Sequence, residues 1–158
     1  MTSTFRDRSF DERFKALGDE AEKQFELWAQ NEANLGFARY GLERPPVQMH
    51  RLPPFVRYTP DYLMSRQLVE VQGFGQDGST KLKLEKLHAL EQWQQIHPVS
   101  LFAWHTQSRT RWLVPLKFIT AGFVADEFEQ GTFPEGKRYL VLPIAWLDAN
   151  GEQLGVAP

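Results

Sequence analysis

Tyr58-Thr59-Pro60-Asp61-Tyr62-Leu63-Met64 and, three residues further on, Leu68-Val69-Glu70-Val71-Gln72-Gly73 decide how this chain is read. The second stretch has the apolar character of a strand. Alternate side chains of a strand share a face, so Leu68, Glu70 and Gln72 point one way and Val69 and Val71 the other. Two residues of rise set Glu70 and Gln72 roughly 6.5–7 Å apart. A carboxylate inside so apolar a strand is costly unless it is paired or binds a cation. Asp61 lies on the preceding segment, close enough in sequence to be the facing arm of a hairpin. Two carboxylates meeting at a strand end make a hard-oxygen site suited to Mg²⁺ or Mn²⁺. Such an ion can activate water and stabilise charge on a phosphate under attack.

Working outward, Leu17, Ala21, Phe25 and Trp28, with Phe14 before them, recur at helical spacing and predict a long helix over 11–34, weakened at Gly18 and stopped near Gly36. Residues 37–42 suit a first strand. Pro45, Pro46, Pro53 and Pro54 exclude a helix around them. Residues 55–63 read as extended, 67–72 as a strand and 73–78 as a flexible glycine-rich loop. Ser79 or Thr80 can cap a helix running to about 96, with Leu84, Leu87, Leu90 and Trp93 on its contact face. Residues 99–106 are apolar on both faces, which suits a central strand. Further strands are expected over 111–119 and 139–146, the latter at an edge because of Pro143. A short helix over 120–130 and a turn at 148–151 complete the reading. The order predicts a mixed α/β fold, a central β-sheet flanked by helices. Residues 1–13 form a polar N-terminal segment, 14–119 the core, and 120–158 a C-terminal extension.

The chain has 158 residues, 42% hydrophobic and 24% charged, which suits one globular domain with a substantial core. It has no cysteine, which excludes disulfide scaffolds, thiolate zinc sites and thiol catalysis. No apolar run reaches the ~18–20 residues of a membrane span, and the start lacks the apolar stretch of a signal peptide, so an intracellular protein is expected. The net charge of −2 hides a basic middle. Residues 36–124 carry eleven Lys/Arg against six Asp/Glu, while both flanks are acidic. This is a weak pointer to a polyanion. Arg109-Thr110-Arg111-Trp112 offers guanidinium groups for phosphates, and Arg57, Lys81, Lys86 and Lys117 extend the surface. His50, His88, His97 and His105 show no i, i+4 zinc-protease pair. The 73–78 loop lacks a P-loop ending.

The hairpin pattern resembles the PD-(D/E)XK nuclease superfamily. Pro60-Asp61 is similar to its PD element and Glu70-Val71-Gln72 to its (D/E)XK element. The likeness covers about residues 14–112 and resembles compact phage-type endonucleases and Holliday-junction resolvases. It implies a restriction-endonuclease-like core of α-β-β-β-α-β order. It also implies an Mg²⁺- or Mn²⁺-dependent endonuclease acting on branched or structured DNA, with intracellular, phage or mobile-element origins. Glu22 would join Asp61 and Glu70 as a metal ligand, with Glu20 as the alternative. Gln72 stands where the family has lysine; it can orient a water but brings no charge. A lysine of the next helix, Lys83 first among Lys81, Lys83 and Lys86, could supply that charge. A homodimer would suit junction resolution. Gln72 equally favours a non-catalytic module that binds DNA or a protein, for instance a viral assembly protein.

Overall fold

The computed structural model describes residues 10–42 and 48–158. The first nine residues of the polar segment, the Pro45-Pro46 pair and the Phe14 side chain lie outside the described residues.

Helix α1 (Phe10–Leu27) runs through Gly18 without a break and continues as a π-helical turn, Trp28–Glu32. Strand β1 (Phe37–Arg39) follows, then a 3₁₀ turn at Met49–Arg51 and the single-turn helix α2 (Pro54–Arg57). Strands β2 (Tyr62–Met64) and β3 (Leu68–Phe74) make the hairpin. The chain goes on through β4 (Ser79–Lys83), α3 (Leu84–Gln94), β5 (Val99–His105), β6 (Thr110–Pro115) and α4 (Leu116–Val124). It ends with β7 (Gln130–Thr132), β8 (Arg138–Pro143), α5 (Ile144–Asn150) and β9 (Glu152–Val156).

The main sheet is mixed, in the order β1-β2-β3-β5-β6-β9. β1, β2 and β3 are antiparallel neighbours; β5 lies parallel to β3 after the α3 crossover; β6 and β9 return antiparallel. All seven residues of β5 are buried, as a strand apolar on both faces requires. Val99, Leu101 and Ala103 join a core with Leu87 and Leu90 of α3, Leu116 and Ile119 of α4, and Leu147 of α5. Phe102 and Trp104 join the opposite core, built on Ala21, Phe25 and Trp28. Helix α1 therefore covers one face of the sheet, and α3, α4 and α5 cover the other.

Gly73 shows how closely α1 lies against β3. A Cβ there would sit 2.5 Å from the carbonyl oxygen of Leu17, so no larger residue fits without moving the helix.

Several expectations shift. Segment 55–63 is not extended throughout, because Pro54 opens the short helix α2. Gly73 and Phe74 belong to β3, not to the loop. Ser79 and Thr80 lie in a strand instead of capping a helix; β4 pairs with β8 and α3 starts only at Leu84. Thr80, Leu82, Leu140 and Leu142 alternate inward, so burial on a second sheet overrides the helical pattern. Strand β6 stops at Pro115 and the next helix begins at once. β8 is the middle strand of the small sheet β4-β8-β7, and Pro143 is accommodated as its last residue. The segment 148–151 closes α5, and β9 completes the main sheet.

Candidate functional site

The hairpin register places Tyr62 opposite Val69 and Leu63 opposite Leu68. One step further brings Asp61 level with Glu70. Strand β2 ends there, and β3 continues with an unpaired edge. The Asp61 carboxylate fills the gap: its Oδ2 accepts the Val71 backbone N–H at 2.7 Å. Asp61 thereby substitutes for a missing strand partner, which fixes its carboxylate at the sheet edge.

Glu70 is buried on the α3 side of β3. Lys86, in the first turn of α3, comes down onto it, with Nζ 2.5 Å from Oε1. The same ammonium lies 5.8 Å from the centre of the Tyr58 ring. Burial alone would lower the Lys86 pKa, but the charges of Glu70 and Asp61 outweigh it and raise it. Asp61 moves the other way from a normal carboxylate. Burial, and then the Glu70 charge, push it up to about 8, against the opposing pull of Lys86 and the Val71 N–H. Two carboxylates thus share one ammonium in a partly enclosed place, and one of them holds its proton near neutral pH.

Arg39 of β1 organises the α1 side. Its Nη1 lies 2.8 Å from Glu22 Oε2 and its Nη2 3.7 Å from Asp61 Oδ1. Burial disfavours the Arg39 charge, but the Glu22 hydrogen bond and both carboxylates overcome this and raise its pKa. Tyr62, opposite Arg39 in register, donates its hydroxyl to Glu26 at 2.7 Å. Glu22, four residues before Glu26 on α1, is therefore linked to Asp61 through a guanidinium.

Gln72 shares the face of Glu70, as strand alternation predicts. Its amide nitrogen donates to Thr80 Oγ1 at 2.5 Å and to the Lys81 carbonyl at 2.9 Å. It fastens β4 to β3, and its amide donor group is engaged within the protein.

The structure brings Asp61, Glu70, Gln72 and Lys86 together and ties Glu22 to them. It does not bring Lys83, which pairs with Glu135 at 3.7 Å and lies over the Phe133 ring. The lysine that reaches the carboxylates is Lys86. Three expected phosphate contacts are engaged elsewhere. Arg57 holds the carbonyls of Met49, His50 and Leu52 and pairs with Glu85. Arg111, 1% exposed, makes a bidentate pair with Glu32 and bonds the Leu154 carbonyl. Arg109, with φ of 55°, secures the carbonyls of Ala157 and Pro158. Lys81 is exposed. His105 is buried, bonded to Ser108 and stacked on Phe74, a structural role.

Arg39 escaped the sequence reading. Its signal is a charged residue at the end of a short strand, paired in register with Tyr62. Among the described residues no group of three or more His, Asp or Glu is gathered to hold a metal ion. The three-carboxylate set is not assembled, because Arg39 engages Glu22. Asp61 and Glu70 remain as a charge-coupled pair, and Mg²⁺ commonly uses only one or two protein carboxylates, completing its shell with water and substrate phosphate. Those two residues fit such an ion. Among the described residues no helix is long and apolar enough to cross a membrane. Compared with known proteins, the chain matches no family model, no curated protein and no solved structure.

Proposed function

We propose that the protein is a divalent-metal-dependent DNA endonuclease of the PD-(D/E)XK kind, with Asp61 and Glu70 as metal ligands and Lys86 in place of the lysine that Gln72 replaces. The observation that carries this reading is the placing of a half-buried carboxylate, Asp61, level with the buried, lysine-paired Glu70 at the rim of the sheet. With Glu22 included, three carboxylates meet the two cations Arg39 and Lys86, and a carboxyl that keeps its proton beside another carboxylate can exchange that proton for a metal ion. With α2 and the second-sheet strand β4 set aside, the order α1-β1-β2-β3-α3-β5, with β5 parallel to β3, supports a restriction-endonuclease-like core.

An Mg²⁺ or Mn²⁺ ion held there would lower the pKa of a bound water and stabilise charge on the scissile phosphate. Asp61, fixed by the Val71 N–H, and Glu70 orient the ligand oxygens. Lys86 holds positive charge at the same rim without leaving the hydrogen-bonded network. Gln72 acts as a positioning residue through β4. Glu22 holds Arg39, which in turn faces Asp61.

The test is cleavage of junction, nicked and linear DNA in Mg²⁺ and in Mn²⁺. The parent should cut. Asp61→Ala and Glu70→Ala should lose at least about a hundredfold, as when an electrostatic group is removed from a transition state. Lys86→Met should lower kcat with little change in KM. If the alanine variants cut as fast as the parent, the reading is wrong.

One observation favours a second reading, a non-catalytic module on the same scaffold that binds DNA or a protein. The Gln72 amide donor is taken up inside the protein, and Glu22 is neutralised by Arg39. That reading predicts DNA or protein binding with no cleavage in either metal.

A further inference from the structure

The small sheet β4-β8-β7 turns Thr80, Leu82, Leu140 and Leu142 inward. Its other face carries Lys81 and Lys83 of β4 and Tyr139 of β8, with Phe133 just beyond β7. Tyr139 lies flat across β7: a Cβ on its cross-strand partner Gly131 would sit 2.4 Å from the ring. The Phe133 ring is next to it, centroid to centroid 4.4 Å. Lys81 Nζ stands 5.0 Å from the Tyr139 centroid and Lys83 Nζ 5.4 Å from that of Phe133.

We infer that this face is a docking surface for a single-stranded DNA segment, with bases stacking on Tyr139 and Phe133 and phosphates held by Lys81 and Lys83. An aromatic ring covering a strand glycine has a stabilising role of its own. That role explains Tyr139 over Gly131, but it asks nothing of two lysines on the same face. Alternating cations and half-exposed rings are what a flexible polyanion with planar bases recognises. The local charge agrees. On this face Lys81 and Lys83 stand against Glu135, while Lys137 is taken up by Glu85 at 2.6 Å. The Lys83–Glu135 pair is exposed, so a phosphate can displace the carboxylate at little cost.

The face adjoins the candidate site. Gln72, two residues from Glu70, is bonded to Thr80 and to the carbonyl of Lys81. The platform strand β4 is thus fastened to β3, the strand that carries Glu70. The inference deepens the nuclease reading and takes its choice of DNA as partner from it, but binding is separable from cleavage. It assigns a DNA-contacting role to Tyr139 and Phe133, which lie beyond the residues of the family resemblance.

The experiment is fluorescence anisotropy with a labelled oligothymidylate of about 15 nucleotides, full-length chain, in EDTA so that nothing is cut. Lys81→Gln/Lys83→Gln should weaken binding at least about fivefold and make the salt dependence shallower by roughly 1.4 in log–log slope, the share of two phosphates. Tyr139→Thr should weaken binding about tenfold and leave that slope unchanged, since stacking releases no counterions. Lys15→Gln, at an exposed position of α1, should bind like the parent. Thermal midpoints establish that each variant is folded; if Tyr139→Thr is not, the double lysine variant decides. Parent-like binding by the lysine variant overturns the inference. So does displacement of the oligonucleotide by polyglutamate as readily as by unlabelled DNA, which would make the partner an acidic protein. Binding in EDTA and cleavage in Mg²⁺ are read separately, so failure of the nuclease reading and failure of the docking surface give different results.

Discussion

Two ionic clusters sit on opposite halves of the main sheet, and they are built on different rules. On β6, Arg111 is 1% exposed and meets Glu32 through two 2.8 Å contacts, with the Leu154 carbonyl taking a further N–H. One cation meets one carboxylate. At the end of β2, Lys86 serves Glu70 directly while Asp61 stands alongside, pushed up to about 8. The first cluster joins the π-helical end of α1 to β6 and β9, and its charges balance. The second sets three carboxylates, Glu22, Asp61 and Glu70, against two cations, Arg39 and Lys86, and a proton on Asp61 makes up the difference. Buried charge that is matched holds a fold together; buried charge in surplus points to a missing partner.

The largest effect should come from breaking the matched pair on its exposed side. The Glu32 side chain is 41% exposed, so the cost of its removal falls on the buried guanidinium left behind. Glu32→Ala should destabilise the protein by about 3–5 kcal/mol in urea unfolding. Adding Arg111→Met should restore most of that loss, since the uncompensated charge goes with it. A cost below about 1 kcal/mol would reduce the pair to an ordinary surface contact and erase the contrast.

The unbalanced cluster should answer to pH. The Asp61 carboxyl rises from 3.8 to about 8 on folding, so the folded state binds the extra proton between those values. Stability from this group is therefore complete below about pH 4 and is lost as pH rises through about 8. Asp61→Asn keeps an oxygen for the Val71 N–H and removes the charge. Its gain over the parent in metal-free buffer should be small near pH 5 and reach on the order of 2–3 kcal/mol near pH 9. An equal gap at both pH values would mean that neither burial nor the Glu70 charge raises the Asp61 pKa.

How much of this was legible in the sequence follows from the same two clusters. Asp61 and Glu70 were readable because strand alternation is local: a carboxylate between valines declares its own cost. The hairpin register brings them level without any distant contact. Lys86 was harder to single out. Taking Ser79 or Thr80 as a cap starts the helix early and makes Lys83 the lysine near its beginning. The small sheet moves the start to Leu84, which turns Lys86 inward and leaves Lys83 on an outer face. That shift depends on β8, some sixty residues away, where Val141 pairs with Lys81. Arg57 and Arg111 read as phosphate contacts in the sequence because net charge does not reveal burial; their partners, Glu85 and Glu32, are distant in sequence. Arg39 was missed for the same reason.

Arg39 offers the finest test of the contrast, because it stands between the two kinds of pairing. It satisfies Glu22 at 2.8 Å and only leans on Asp61 at 3.7 Å. Its side chain is 26% exposed, so solvent screens both contacts and the stability it contributes should be under about 1 kcal/mol. Its charge nevertheless lies within one ion's breadth of a proposed metal ligand and opposes a second cation there. Arg39→Gln should therefore leave the urea midpoint almost unchanged and tighten Mn²⁺ binding about fivefold by calorimetry, the equivalent of about 1 kcal/mol of repulsion removed. Weaker Mn²⁺ binding in the variant would give Arg39 the opposite role, aligning Asp61 for the ion, and would place it with the matched charges of Arg111 and Glu32.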